Sequence, residues 1–187
     1  MSVDPEFLEE RRRLGIDGFD EAWDGELHMN PPAGGPHQLF SSRFFLVLAP
    51  LASDRGLEAL METGVFRPDT KDDYRVPDSS YFAPELLSER GIEGAAALVI
   101  EVRSRDDETY AKLPFYAAVG VGELLVVHPD DRRAELYRFA DGQVVAVQAD
   151  PDRGFQLTAL GVWVTTVATT DGPRLRVTAP DGTVTDI

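Results

Sequence analysis

The sequence predicts a mixed α/β fold, a mixed β-sheet flanked by helices with a β-rich C-terminal extension. Three patterns carry this reading. An amphipathic helix pattern lies early in the chain, two wholly apolar strand patterns lie in its middle, and short β segments alternate with Asp-Gly turns near its end. Helix, strands, helix and further strands follow one another without an internal repeat or a low-complexity tract.

Residues 1–20 are polar and carry the basic triplet Arg11-Arg12-Arg13, which reads as a short helix or loose arm with a solvated face. Asp24-Gly25 is a turn leading into a short strand through Met29, and Asn30 to Pro36 is rich in Pro and Gly, a loop. From His37 onward Phe40, Phe44, Val47, Leu48 and Leu51 form one apolar helical face. Pro50 is expected to kink this helix or end it early; otherwise it runs to Asp54-Arg55-Gly56. Residues 57–67 read as a strand or hairpin turning at Glu62-Thr63-Gly64. Residues 75–82 read as extended, and 84–94 as irregular or briefly helical.

Residues 96–103 form the strongest strand pattern, apolar on both faces and therefore central. Asp106-Asp107-Glu108 is expected to start a helix, since acids suit its N-terminal dipole, running to Val119 with a kink at Pro114. Residues 123–128 give a second buried strand. Residues 134–139 and 144–148 form a hairpin around Asp141-Gly142, and 155–160, 162–166 and 174–178 are further strands. The expected organisation is an arm over 1–20, a core over 21–140 and an extension of the same domain over 141–187.

Composition narrows the function. With 18 Lys and Arg against 33 Asp and Glu, the 187-residue chain has a net charge of −15. That argues against a generic nucleic-acid coat, a polybasic membrane binder or a histone-like partner, though not against a basic cleft on an acidic body. The absence of cysteine excludes disulfides, zinc ribbons, thiolate nucleophiles and iron–sulfur clusters. No apolar run reaches the roughly 20 residues of a membrane span, and no signal-peptide stretch is visible. A cytoplasmic protein without membrane partners is the expectation.

The informative residue is a charge in the wrong place. Glu101 interrupts an otherwise apolar strand, and a buried carboxylate costs several kcal/mol unless paired or bound to metal. Glu101 and Arg103 share one strand face by alternation. Asp78, just after Pro77, is a second carboxylate on an extended segment, and Lys112 lies on the helix that follows. Two carboxylates can hold Mg²⁺ through hard oxygens, and an amine can orient water or neutralise charge developing on a phosphodiester.

Val76-Pro77-Asp78, then Leu98 to Ser104, then Tyr110-Ala111-Lys112-Leu113-Pro114-Phe115-Tyr116-Ala117 resemble the PD-(D/E)XK nuclease superfamily, and within it the Uma-type restriction-endonuclease family. Trp23 to Leu27, Pro31-Pro32 with His37 after it, Gly91 to Ala95, and Gly120-Val121 followed by residues 123–130 extend the likeness over about residues 20–140. The resemblance implies a restriction-endonuclease-like core with Asp78 and Glu101 as metal ligands for Mg²⁺ (or Mn²⁺) and Lys112 as the catalytic amine. It implies DNA as substrate, bound weakly or with a partner's help given the acidic charge, and a homodimer, since two strands need two sites. The superfamily's E-x-K lysine position holds Arg103, which cannot readily shed a proton, so the amine comes from the next helix, a variation known in the family. Glu21 and Glu26 both stand as the further acid, and His37 as a possible neighbour of the site.

The bland readings are a turn aspartate at Asp78, a structural ion pair of Glu101 with Arg103 or Lys112, and a solvated Lys112. They amount to a nuclease fold kept as an inactive binding module. A two-carboxylate glycosidase leaves the lysine unexplained and has little aromatic lining beyond Trp23 and Trp163.

Overall fold

The computed structural model describes residues 5–15, 17–70, 72–104 and 107–187. Among them the helices are α1 (Pro5–Leu14), α2 (Gly35–Ser53) and α3 (Leu113–Ala118). The strands are β1 (Glu21–Trp23), β2 (Glu26–His28), β3 (Glu58–Met61), β4 (Val65–Phe66), β5 (Tyr74–Arg75), β6 (Ser79–Phe82), β7 (Ile92–Glu93) and β8 (Leu98–Val102). They continue with β9 (Glu123–Val127), β10 (Ala134–Ala140), β11 (Gln143–Ala146), β12 (Phe155–Leu157), β13 (Val162–Thr169), β14 (Gly172–Thr178) and β15 (Val184–Asp186). The fold is mixed α/β with a strand-rich C-terminal sheet.

The central sheet has the order β11-β10-β9-β8-β6-β3. Its middle pair, β8 and β9, is parallel, and α3 lies on the connection between them. Parallel neighbours need such a crossover, whereas β9-β10-β11 is an antiparallel meander joined by short turns. Both β8 and β9 are buried along their whole length, as continuous apolar runs require. Alternation then sorts the faces. Leu98, Ile100 and Val102 pack with Phe40, Phe44 and Leu48 of α2 and with the inner face of the C-terminal sheet, while Val99 packs with Phe115, Tyr116 and Val126. Glu101, two residues on from Val99, therefore lies on the α3 side.

Two smaller sheets complete the fold, β2-β1-β5-β4-β7 and β12-β13-β14-β15. The β1–β2 turn holds Asp24 and Gly25 at φ 50° and 84°, and the β10–β11 turn holds Asp141 and Gly142 at 52° and 72°. Positive φ at both central residues is the twist-matched hairpin turn that Asp-Gly favours.

Several sequence expectations are corrected. Pro50 does not end α2, which continues to Ser53; it lies on the exposed face, where water can serve the carbonyl that loses its donor. Residues 57–67 are not a hairpin: β3 pairs with β6, and β4 with β5 and β7, in another sheet. The helix expected from Asp106 to Val119 is a 3₁₀ turn over Thr109–Lys112 followed by the short α3. Asp106 lies outside the described residues. Asp107 accepts from the main-chain N–H of Ser104 (2.6 Å) and Thr109 (3.3 Å) instead of opening a helix. Pro114 stands in the first turn of α3, where its missing N–H costs nothing, so it kinks nothing. Strands β1, β7 and β15 are too short to show periodicity and were not anticipated.

The C-terminal segment is fastened to the central sheet by buried Glu123, whose carboxylate accepts from Arg138 Nε (3.0 Å), Thr158 Oγ1 (2.7 Å) and the Ala159 main-chain N–H (3.2 Å). Glu123→Ala strands these donors, so it should cost about 3 kcal/mol, read as a lower urea midpoint; a cost below about 1 kcal/mol would show that the clamp is dispensable.

Candidate active site

Each polar residue of the site is placed by a strand end or a helix start. Asp78 immediately precedes β6. The β6–β8 ladder stops at the pair Ser79–Ile100, and the Asp78 side chain extends it, Oδ2 accepting from the Val102 N–H at 2.7 Å. Glu21 opens β1; its Oε1 accepts from the Val76 N–H (2.8 Å) and its Oε2 from Trp23 Nε1 (2.8 Å). Lys112 closes the 3₁₀ turn, and its ammonium lies between two carboxylates, 2.8 Å from Glu21 Oε1 and 3.1 Å from Glu101 Oε1. Tyr116, one helical turn later, donates its hydroxyl to the same Glu101 oxygen at 2.7 Å. Both bonds fall on Oε1 and leave Oε2 outside the pairing. On the other wall, near the start of α2, His37 Nε2 is 2.6 Å from the Val102 carbonyl oxygen and 3.6 Å from Asp78 Oδ1.

Glu21, His37, Asp78, Glu101 and Lys112 line one open cleft of about 660 Å³, walled by the Asn30–Gly34 loop and by Ser104, Asp107 and Glu108. Glu26 does not join them; it is exposed on β2. Nor does Arg103. Beyond the end of β8 it pairs with Asp107 at 3.2 Å, lies 4.8 Å over the Tyr110 ring and lines a neighbouring groove. His28 supports the rim, stacked on Trp23 at 4.1 Å and bonded to Glu108 at 2.9 Å. Tyr116 is not among the site residues expected from the sequence. Its spacing of four from Lys112 is the signal that it shares the lysine's helical face.

The cleft is short of positive charge. Burial, ahead of the opposing pull of Lys112 and the repulsion of Asp78 and Glu21, pushes the Glu101 carboxyl up to about 7. Burial also raises Asp78, against the attraction of His37. Burial alone would lower Lys112, but Glu101 and Glu21 together outweigh it and raise it, so the ammonium stays charged at neutral pH. Three carboxylates share one permanent cation, and Glu101 bears the excess.

A further cation would relieve that excess. The donor set is hard oxygen, suited to Mg²⁺ or Mn²⁺. Among the described residues no three His, Asp or Glu groups stand close enough together to form a ready metal cage. Asp78 and Glu101 thus fit a magnesium-type site, in which one or two carboxylates anchor an ion that keeps most of its water.

A family model described as "Uma2: Putative restriction endonuclease" matches residues 17–168. The chain belongs to the Uma2 family. Among solved structures, this Uma2 chain is similar to a "putative nuclease belonging to DUF820" from Anabaena variabilis ATCC 29413, with TM-score 0.57 and 18% identity, over 75% of this chain and 88% of that one. That likeness shows a shared fold. A DrdV–DNA complex solved by cryo-electron microscopy also matches, with TM-score 0.35 and 13% identity, over 56% of this chain and 9% of that one. No curated protein matches. Among the described residues no helix of this Uma2 protein is long and apolar enough to cross a membrane.

A carboxyl raised in the folded state favours folding below its ordinary value, near 4.5, and loses that advantage as pH rises through about 7. Glu101→Gln abolishes this dependence. In metal-free buffer the variant should therefore gain in Tm relative to wild type between pH 5 and pH 8; a constant difference would contradict the raised Glu101.

Proposed function

We propose that this Uma2 protein is a metal-dependent DNA endonuclease of PD-(D/E)XK type, hydrolysing phosphodiester bonds in the cleft between α2 and α3. The observation that carries the reading is the convergence of Asp78, Glu101 and Lys112 from three separate segments on one open, acid-rich cleft, in a chain whose family is described as "Putative restriction endonuclease".

Asp78 and Glu101 would hold Mg²⁺ or Mn²⁺. The ion supplies Lewis-acid stabilisation of phosphate charge and a more acidic water. Lys112 stays protonated, so its part is to donate to the attacking water or a phosphoryl oxygen rather than to remove a proton. Glu21 holds the Lys112 ammonium from the side opposite Glu101, and Tyr116 holds the Glu101 carboxylate in place. His37 is braced against the Val102 carbonyl beside Asp78, fixing the other wall. Arg103, turned toward Asp107, leaves the amine's role to Lys112. The same proposal includes action in the cytoplasm, and a homodimer that brings two clefts to two strands.

The test is cleavage of supercoiled and single-stranded DNA by purified protein with Mg²⁺ or Mn²⁺ against EDTA. Asp78→Ala, Glu101→Ala and Lys112→Ala should each lower metal-dependent cleavage by about a hundredfold or more. Cleavage that survives all three would sink the assignment. Metal binding is read separately: Mn²⁺ should raise Tm more at pH 8 than at pH 5.5, because Glu101 must ionise to ligate, and Glu101→Ala should remove the shift. Absence of both shift and cleavage would instead favour an inactive binding module.

A further inference from the structure

A second groove, of about 720 Å³, continues from the cleft and shares Gly34, His37 and Ser104 with it. Its chemistry is different. Arg103 and Arg132 line it with His128, while Asp130 and Asp131 are exposed at its rim. Arg132 is the unusual residue. It is half-buried, its guanidinium lies 4.2 Å over the Phe40 ring, and Nη1 donates to the Pro129 carbonyl. Its Nε is buried and has no hydrogen-bond partner, and no carboxylate lies within ion-pair distance of it among the described residues. Burial and the nearby Arg174 both disfavour its charge, against only the attraction of Asp130.

The backbone points the same way. Arg132 occupies the left-handed region at φ 59° in the β9–β10 turn, where Gly or Asn would sit with less strain. The turn is held from within, where Arg132 N donates to the His128 carbonyl, and from outside, where Thr166 Oγ1 of β13 donates to the Arg132 carbonyl at 2.7 Å. A strained, pinned turn that keeps a half-buried guanidinium without a counterion is built to receive an anion.

We propose that this groove binds the phosphodiester backbone of a nucleic-acid strand, with Arg132 and Arg103 each taking a phosphate beside the one presented to Asp78 and Glu101. The proposal rests on the nuclease reading and supplies what that reading lacks, two guanidiniums beside the cleft of a chain of net charge −15. It gives the C-terminal sheet a role in substrate binding, since Thr166 props the turn that presents Arg132.

The experiment is binding of fluorescein-labelled single- and double-stranded oligonucleotides in EDTA, where no metal-dependent cleavage occurs, over a series of salt concentrations. Arg132→Gln and Arg103→Gln should each weaken binding about tenfold and reduce the salt slope by about one. Arg43→Gln, which removes a charge from the exposed face of α2, should do neither. Arg132→Lys, which keeps the charge and the stem over Phe40, should retain part of the affinity. If Arg132→Gln fails to fold, Arg132→Lys and Arg103→Gln decide the matter. Unchanged affinity and slope in the groove variants, or no binding by wild type, would overturn the groove assignment even if wild type cleaves DNA. Arginine-dependent binding without any metal-dependent cleavage would sustain the groove and overturn the catalytic reading. A thermal shift with inorganic phosphate that depends on Arg132, alongside oligonucleotide binding that does not, would assign the groove to a free anion and defeat the strand proposal.

Discussion

Lys112 stands between Glu21 and Glu101 at 2.8 and 3.1 Å, joining the first strand of one sheet, the middle of another and the turn that opens α3. All three groups are at least nine-tenths buried. Charges so far from water hold together only in concert, because removing one partner leaves the others buried and uncompensated. The ammonium therefore sets where β1 sits relative to β8, and so how wide the cleft is. Tyr116 adds a neutral donor to the same Glu101 oxygen, leaving one carboxylate oxygen outside the cluster.

The resulting balance is deliberately incomplete. Three acids face one permanent cation, and the deficit falls on Glu101, raised by burial and by its acidic neighbours. In general, well-packed apolar side chains in place of buried charges are often as stable or more so. Under the proposed function, the hard oxygens of Asp78 and Glu101 would suit a cation of the Mg²⁺ kind.

The extension after β11 is part of this arrangement through two contacts. Glu123, on the central strand β9, accepts donors from Arg138, Thr158 and Ala159, so the C-terminal segment is locked to the sheet that carries Glu101. Thr166 fixes the turn of Arg132, so the same segment shapes the groove beside the cleft. The inner apolar face of the C-terminal sheet, with Leu157, Val162, Val164, Leu175 and Val177, closes the core over α2.

Much of this was legible in the chain. The Phe40-Phe44-Leu48 face, the apolar runs of β8 and β9 and the Asp-Gly turns are local patterns, and local sterics and burial determine them wherever they occur. Glu101 announced itself because a carboxylate in a fully apolar strand must have a partner. What remained open was which partner, and which of Glu21 and Glu26 faces the cleft. One lies buried at the start of β1 and the other exposed on β2, a difference decided by pairing with β5 that two three-residue strands do not encode in their periodicity. The 3₁₀ turn that Lys112 closes ahead of the short α3, the turn of Arg103 toward Asp107 and the unpaired Nε of Arg132 were equally hidden. Each depends on side chains distant in sequence competing for the same hydrogen bonds and charges. By itself the sequence determined the core pattern, the acidic balance and the candidate site residues. Only the tertiary structure decided which of them meet, because burial and Coulomb attraction act on distances that the order of residues does not specify.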